Sequence, residues 1–138
     1  MKYVGFTGTR KGLTEPQRDA LFTIILDEDP SLVFHGDCIG ADKEFNDICK
    51  ALGVRRLCLP CNLSGQRAYS DAELYQPPKA PLARNHDIVR LSHVMIACPG
   101  ESSEVLRSGT WATIRYARTA GKRLIIILPD GKLVRQND

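Results

Sequence analysis

The chain has 138 residues, a length that predicts one domain large enough to bury a core of its own. Hydrophobic residues make up 43% and charged residues 25%, which is typical of a soluble globular protein. The net charge of +3 does not indicate a nucleic-acid partner, because basic residues must cluster to form such a surface. The sequence shows no signal pattern and no apolar run of membrane length, so we expect a cytoplasmic protein without a membrane partner.

The first strand is predicted at residues 2–7, where apolar residues occupy the middle of the segment. A turn over residues 8–12 separates this strand from a helix. Thr14 and Gln17 fit a capping box, in which each side chain bonds the backbone of the other residue. The helix is predicted to end at residues 29–30, Asp-Pro, because proline cannot continue a helix.

A second strand is predicted at residues 31–34, and a turn rich in glycine and aspartate follows at 35–42. Asp42 at the end of this turn is predicted to cap the second helix. Residues 45–52 of that helix carry apolar side chains at helical spacing, which indicates one buried face. A third strand is predicted at residues 55–59.

Residues 61–83 lack any sustained period and are predicted to form a long irregular loop. Loops of this length are unusual inside a compact domain and often form the rim or lid of a functional site. A disordered excursion is the alternative interpretation.

The five cysteines are an odd number without secretory context, which favours reduced thiols over a disulfide framework. Cys58 and Cys61 form a C-x-x-C pair, for which a redox site and half of a zinc site are the functional interpretations. No helix start accompanies the pair, and no second pair lies at the usual spacing. We therefore expect two thiols at the end of a strand and no metal.

The last third of the chain continues the alternation of strand and helix. A short helix is predicted at 84–91, a strand at 93–98, a helix at 110–120, a strand at 123–128 and a polar tail at 132–138. This order predicts a single α/β domain of three layers, with helices on both faces of a five-stranded, mainly parallel sheet. Ligands of such folds lie beyond the carboxyl ends of the strands.

Three turns of small residues follow these strands, at Gly8–Arg10, Gly36–Asp42 and Ser108–Thr110, and should meet at one edge of the sheet. The last of them opens a helix, whose unpaired N–H groups and dipole favour an anion. The cations that could bind a phosphate are Arg10, Lys11 and Arg84. Capped turns and solvated surface charges are the alternative interpretation.

Six stretches in this order resemble a known family: Phe6-Thr7-Gly8-Thr9-Arg10, His35-Gly36-Asp37-Cys38-Ile39-Gly40-Ala41-Asp42, Ala83-Arg84-Asn85-His86-Asp87-Ile88-Val89, Pro99-Gly100, Ser108-Gly109-Thr110 and Ala117-x-x-x-Gly121-Lys122. Together they look like the SLOG superfamily. That group holds the Rossmann domain of DNA-processing protein A (Smf), the LONELY GUY proteins and small stand-alone nucleotide-binding domains.

The resemblance covers residues 2–131 and implies a Rossmann-like fold that binds a nucleotide or nucleotide-derived small molecule, as a ligand-binding or sensor domain without a further cofactor. Carried over by position, it implies that the ligand contacts Gly8, Thr9, Arg10, Gly36, Asp37, Asp42, Arg84, Asn85, Ser108, Gly109 and Thr110.

An N-glycosidic hydrolase of nucleoside monophosphates is the first alternative that the resemblance implies. LONELY GUY enzymes carry Pro-Gly-Gly-x-Gly-Thr-x-x-Glu, whose glutamate serves the cleavage. Here Pro99-Gly100 is separated from Gly109-Thr110 by a longer loop, and Thr113 stands at the position of the glutamate. Glu101 and Glu104 in that loop are the candidate catalytic residues, because the reaction needs a positioned carboxylate.

Single-stranded DNA binding, as in the DNA-processing proteins, is the second alternative. It is not favoured, because the basic residues are spread along the chain and no charged groove with stacking platforms is evident. Analogy with small members of the superfamily also implies a homodimer or larger homo-oligomer. Trp111 and the helix at 84–91 are candidates for its contact surface.

Overall fold

A computed structural model describes residues 1–138 as a seven-stranded sheet with four helices. The strands are β1 (Tyr3–Gly8), β2 (Leu32–His35), β3 (Arg56–Cys58), β4 (Leu74–Tyr75), β5 (Val94–Cys98), β6 (Arg123–Ile127) and β7 (Leu133–Gln136). The helices are α1 (Glu15–Glu28), α2 (Ala41–Ala51), α3 (Pro81–Leu91) and α4 (Gly109–Thr119), and a 3₁₀ turn spans Ser64–Gln66. None of the helices has the length and apolar content needed to cross a bilayer.

The strands lie in the order β4-β3-β2-β1-β5-β6-β7, and all neighbours are parallel except β6 and β7. The chain winds outward from β1 through β2 and β3, and then returns to the other side of β1 with β5. The strand order therefore reverses between β1 and β5, and a crevice opens at the carboxyl ends of these strands. The predicted α/β, Rossmann-like fold with a mainly parallel sheet is confirmed.

The prediction of five strands is wrong, because two edge strands were missed. The predicted polar tail, 132–138, contains β7, which pairs antiparallel with β6 and is half exposed. The predicted irregular loop, 61–83, contains the 3₁₀ turn and β4, which pairs with β3 over two residues. A strand this short or this polar shows no hydrophobic period in the sequence. It forms because it pairs with a neighbouring strand of the sheet that is distant in sequence.

The predicted capping box at the start of α1 is present. The N–H of Gln17 donates to Thr14 Oγ1 at 3.1 Å, and the N–H of Thr14 donates to Gln17 Oε1 at 3.1 Å. The predicted cap of α2 by Asp42 is wrong, because Gly40 takes the cap position with φ +91°. A side chain at Gly40 would collide with the backbone of Arg10, so the turn needs glycine there. Asp42 instead lies inside the first turn of α2.

Two cores lie on opposite faces of the sheet, and they confirm the predicted three layers. Phe6, Leu21 and Phe45 pack between the sheet and α1 and α2. Ile114 and Trp111 pack between the sheet and α3 and α4. Trp111 is 4% exposed, so it belongs to the core and does not offer the oligomer surface that we expected of it.

Candidate functional site

A cleft of about 390 Å³ lies at the carboxyl ends of β1, β2 and β5, at the reversal of strand order. Its lining contains every residue that the family resemblance implied for the ligand, except Asp37. These residues are Gly8, Thr9, Arg10, Gly36, Asp42, Arg84, Asn85, Ser108, Gly109 and Thr110. Three turns distant in sequence therefore meet in one place, as the parallel topology predicted.

Arg84, on the first turns of α3, is a buried cation in the wall of this cleft. It is 5% exposed and has no carboxylate within ion-pair distance. Its guanidinium donates to the carbonyl oxygens of Gly36 and Leu59 and, through Nε, to Asn85 Oδ1 at 2.7 Å. These acceptors and the Cys38 sulfur at 3.5 Å orient the group but form no ion pair with it, although Asp42 is near enough to interact with its charge. A buried guanidinium without a direct ion pair favours an anionic ligand.

Two positions of the cleft, Gly36 and Gly8, are packed so closely by neighbouring side chains that only glycine fits there. A Cβ on Gly36 would collide with the guanidinium of Arg84, and a Cβ on Gly8 would collide with the Cβ of Ala41. Gly36 therefore admits the arginine, and Gly8 lets the end of β1 pack against the start of α2.

The N-terminus of α4 forms another part of the wall. Ser108 caps the helix, with its Oγ accepting from the N–H of Trp111 at 3.2 Å. The N–H groups of Gly109 and Thr110 donate to no protein acceptor. A Cβ on Gly109 would meet nothing within 4 Å, so the backbone there is open to a ligand. The positive end of an eleven-residue helix thus faces the cleft.

Two further arginines border the cleft beside Arg84. Arg10 bonds the side-chain oxygen of Gln66 and forms no ion pair. Arg107, which sequence reasoning missed although it directly precedes the Ser-Gly-Thr turn, is exposed and also forms no ion pair. We call Arg10, Arg84 and Arg107 the cleft arginines. Lys11, the other predicted cation, does not line the cleft and lies 3.9 Å from Glu101.

Asp42 is the one carboxylate in the lining, on the side of the cleft formed by α2. It is 5% exposed, and its Oδ2 accepts from the N–H of Cys38 at 3.1 Å. Burial raises the pKa of Asp42 above its ordinary value. Cys38, also missed from the sequence, lines the cleft beside it, and burial raises the pKa of its thiol to about 11. Cys38 is therefore a neutral thiol at physiological pH.

Asp37 is fully buried behind the cleft and has a structural task. Its carboxylate accepts from Arg67 Nη2 at 3.1 Å and from the N–H of Ser70 at 2.8 Å. The N–H of Ala68 donates to its carbonyl oxygen. Asp37 thereby fastens the predicted loop to the turn after β2, and it does not line the cleft, where the resemblance implied a ligand contact.

The two predicted catalytic glutamates do not line the cleft. Glu101 accepts from Nε1 of Trp111 at 3.1 Å. Glu104 lies on the exposed side of the loop, 3.0 Å from Arg115 and 3.5 Å from Arg118. The hydrogen bond from Arg115 lowers the pKa of Glu104, so this carboxylate is ionised and occupied. The structure brings neither glutamate together with the cleft arginines.

No protein-family model and no curated protein matches the chain. Among solved structures, the molybdenum cofactor binding protein from the phototrophic bacterium Rippkaea orientalis is 19% identical, with a TM-score of 0.71 over 92% of this chain and 76% of its own. DNA processing protein A from Streptococcus pneumoniae is 18% identical, with a TM-score of 0.67 over 91% of this chain and 50% of its own. The Moco carrier protein from Chlamydomonas reinhardtii is 18% identical, with a TM-score of 0.65 over 95% of this chain and 77% of its own.

The chain has the fold of these proteins. The Rossmann-like fold that the resemblance implied is therefore confirmed, and DNA processing protein A shares it. At these identities the likeness is one of fold. The chain spans half the length of DNA processing protein A.

Proposed function

We propose that this chain is a binding protein for a nucleotide or nucleotide-derived small molecule, which it holds at the carboxyl edge of its sheet. The phosphate lies between the cleft arginines and the first N–H groups of α4. The observation that carries this proposal is Arg84, a buried guanidinium without an ion-pair partner that lines the same cleft as a helix N-terminus. The cleft volume of about 390 Å³ suits a ligand of mononucleotide size.

The solved structures of the same fold support a small-molecule site. By their names, two of them bind or carry the molybdenum cofactor, and the third processes DNA. A small, enclosed, cationic cleft fits the first of these uses better than the second.

N-glycosidic hydrolysis is less well supported than binding. The reaction needs a carboxylate beside the scissile bond, whereas Glu101 and Glu104 lie outside the cleft and are engaged by other side chains. Asp42 is the one carboxylate in the cleft lining, where it is buried near Arg84.

Single-stranded DNA binding is also less well supported. Strand binding needs a row of free cations along a groove, with aromatic side chains on which bases stack. Most basic side chains of this chain are held in ion pairs, from Lys2 near one end to Arg123 near the other. The free cations that lie together are those of the cleft.

Isothermal titration calorimetry with AMP and with inorganic phosphate tests the proposal. We expect Arg107→Gln to weaken AMP binding about tenfold, which corresponds to one charge-assisted hydrogen bond of about 1.4 kcal/mol. The melting temperature should not change, because Arg107 has no partner in the protein. Arg55→Gln is the control, since Arg55 is also exposed and unpaired but lies outside the cleft.

Failure of both ligands to bind would contradict the proposed function, and equal losses in the two variants would contradict the site. Native mass spectrometry of the same sample gives the subunit count. The homo-oligomer that family analogy implies is part of the proposal, and a monomer would overturn that part alone.

A further inference from the structure

The cleft lining suits the sugar and phosphate of a nucleotide rather than its base. The lining is mostly polar, and its aromatic residue, Phe6, is sealed from solvent with its ring stacked on Phe45 at 4.3 Å. The exposed tyrosines of the chain lie elsewhere. Tyr69 is covered by the guanidinium of Arg67 at 4.3 Å, and the Tyr75 hydroxyl is bonded to backbone groups. The lining therefore offers no exposed aromatic ring on which a base could stack.

The cleft has two chemically different ends. The N-terminus of α4 follows β5, whereas Asp42 lies in the first turn of α2, which follows β2. Because β1 lies between β2 and β5, these ends are two strand spacings apart, about 10 Å. An anion at α4 therefore leaves the next part of the ligand facing Asp42.

Asp42 lacks the donors that a buried carboxylate needs. An ionised carboxylate has about four acceptor sites, but one backbone N–H, that of Cys38, reaches this one. The Cys38 thiol is a second, weak donor, whereas His35 and Arg84 lie near enough to act on the charge of Asp42 but form no hydrogen bond with it. The second carboxylate oxygen forms no hydrogen bond within the protein, and the residue lines the cleft.

The chemistry of Asp42 selects the ligand group that meets it. The ionised carboxylate of Asp42 would repel a phosphate in contact with it, because two negative charges side by side are unfavourable in a buried site. A neutral hydroxyl would donate, and two adjacent hydroxyls could bond both oxygens of the carboxylate. Adjacent hydroxyls next to a phosphate ester are what a ribose phosphate offers.

We infer that Asp42 accepts hydrogen bonds from the sugar hydroxyls of the ligand and makes the cleft selective for ribose over 2-deoxyribose phosphates. This inference rests on the proposed nucleotide binding and adds a specificity residue to it.

The test compares AMP with 2′-deoxy-AMP, which differ by one hydroxyl, in calorimetric titrations of the intact chain. We expect the wild-type protein to bind AMP about tenfold more tightly, because removing the hydroxyl leaves a buried acceptor unpaired. Asp42→Asn should reduce this preference to less than threefold. Asp47→Asn is the matched control on the same helix, where Asp47 is exposed and pairs with Lys43, and it should keep the full preference.

Equal affinity of the wild-type protein for the two nucleotides would overturn the inference while leaving the proposed function intact. An unchanged preference in Asp42→Asn would also overturn it, because the selectivity would then come from another residue. If neither nucleotide nor ribose 5-phosphate binds, the proposed function itself is contradicted. A melting curve of each variant shows that lost selectivity does not reflect lost folding.

Discussion

Arg84 and Asp42 are buried groups of opposite sign that both contact Cys38 in the cleft, and neither is fully satisfied by the protein. Arg84 bonds neutral oxygens and the Cys38 sulfur, and Asp42 has one backbone donor. Burying such groups is unfavourable for folding, because each loses hydration without gaining an ion pair. Groups of this kind are typical of binding sites, where a ligand supplies the missing partner.

Asp42→Asn should stabilise the free protein at neutral pH. Burial raises the pKa of Asp42 in the folded state above its ordinary value of 3.8, so ionising this group opposes folding. The variant should gain nothing below pH 3.8, where the carboxyl is neutral in both states. Its advantage should grow as the pH rises from 3.8 towards the raised pKa and should level off above that pKa.

Melting temperatures of the wild-type and variant proteins between pH 3 and pH 8, without ligand, measure this effect. A variant less stable than the wild type at pH 8 would show that the ionised carboxylate stabilises the fold. Gain of stability together with loss of ribose selectivity would be the trade between stability and function that binding sites often show.

At the scale of elements, the N-terminus of α4 presents the backbone groups that we propose bind the anion. Ser108 caps the helix, Gly109 leaves its first turn open, and Arg107 stands directly before it. These features are local, and for that reason the sequence was sufficient to place the helix start within one residue. The carboxylates of the preceding loop face away from the cleft because Trp111 and Arg115 hold them.

Gly109→Ala should separate the structural and functional roles of this helix start. Replacing glycine at a position with ordinary helical backbone should raise the free energy of unfolding by about 0.5–1 kcal/mol. The added methyl group would stand in the open space beside the first N–H groups, so affinity for AMP should fall several-fold.

Gly65→Ala is the control for this variant, since Gly65 also has free space around it but lies outside the cleft. It should leave AMP affinity unchanged in the same titration. Unaltered affinity of Gly109→Ala would mean that the ligand does not approach the start of α4.

At the scale of the whole molecule, Glu28 joins the beginning of the chain to its last segment. Its carboxylate accepts from Arg123 on β6 at 2.7 and 2.9 Å and from Lys2 at 3.2 Å. Arg123 also pairs with Asp138 at 3.1 Å. This network lies at the edge of the sheet opposite the cleft and should matter to stability alone.

Glu28→Gln should lower the free energy of unfolding at pH 7 by about 2 kcal/mol, the usual value of a hydrogen-bonded charged group. Arg123 holds the pKa of Glu28 below its ordinary value of 4.5. The stabilisation is therefore complete above pH 4.5 and is lost as the pH falls through the lower, folded-state pKa.

Urea unfolding of both proteins at pH 7 and near pH 3 measures the difference, which should shrink in acid. Asp27→Asn, an exposed neighbour without an ion pair, should show little difference at either pH. A loss of the same size at both pH values would show that the charge of Glu28 is not responsible.

The sequence by itself determined the alternation of strands and helices, the capping of α1 and the convergence of three turns on one edge of the sheet. Those features depend on local residue patterns and on the handedness of parallel connections, which a sequence shows directly. Ten of the residues that the family resemblance implied for the ligand line the cleft, all of them within the three turns or at Arg84 and Asn85.

The tertiary structure alone decided which acidic residues face the cleft. Asp37 and Asp42 lie in the same turn, yet Asp37 is taken up by Arg67, thirty positions away, and Asp42 is left open. It likewise added β4 and β7, whose partners across the sheet replace the hydrophobic period that they lack. In each case the deciding contact joins residues far apart in sequence, and residue types and spacing do not encode such contacts.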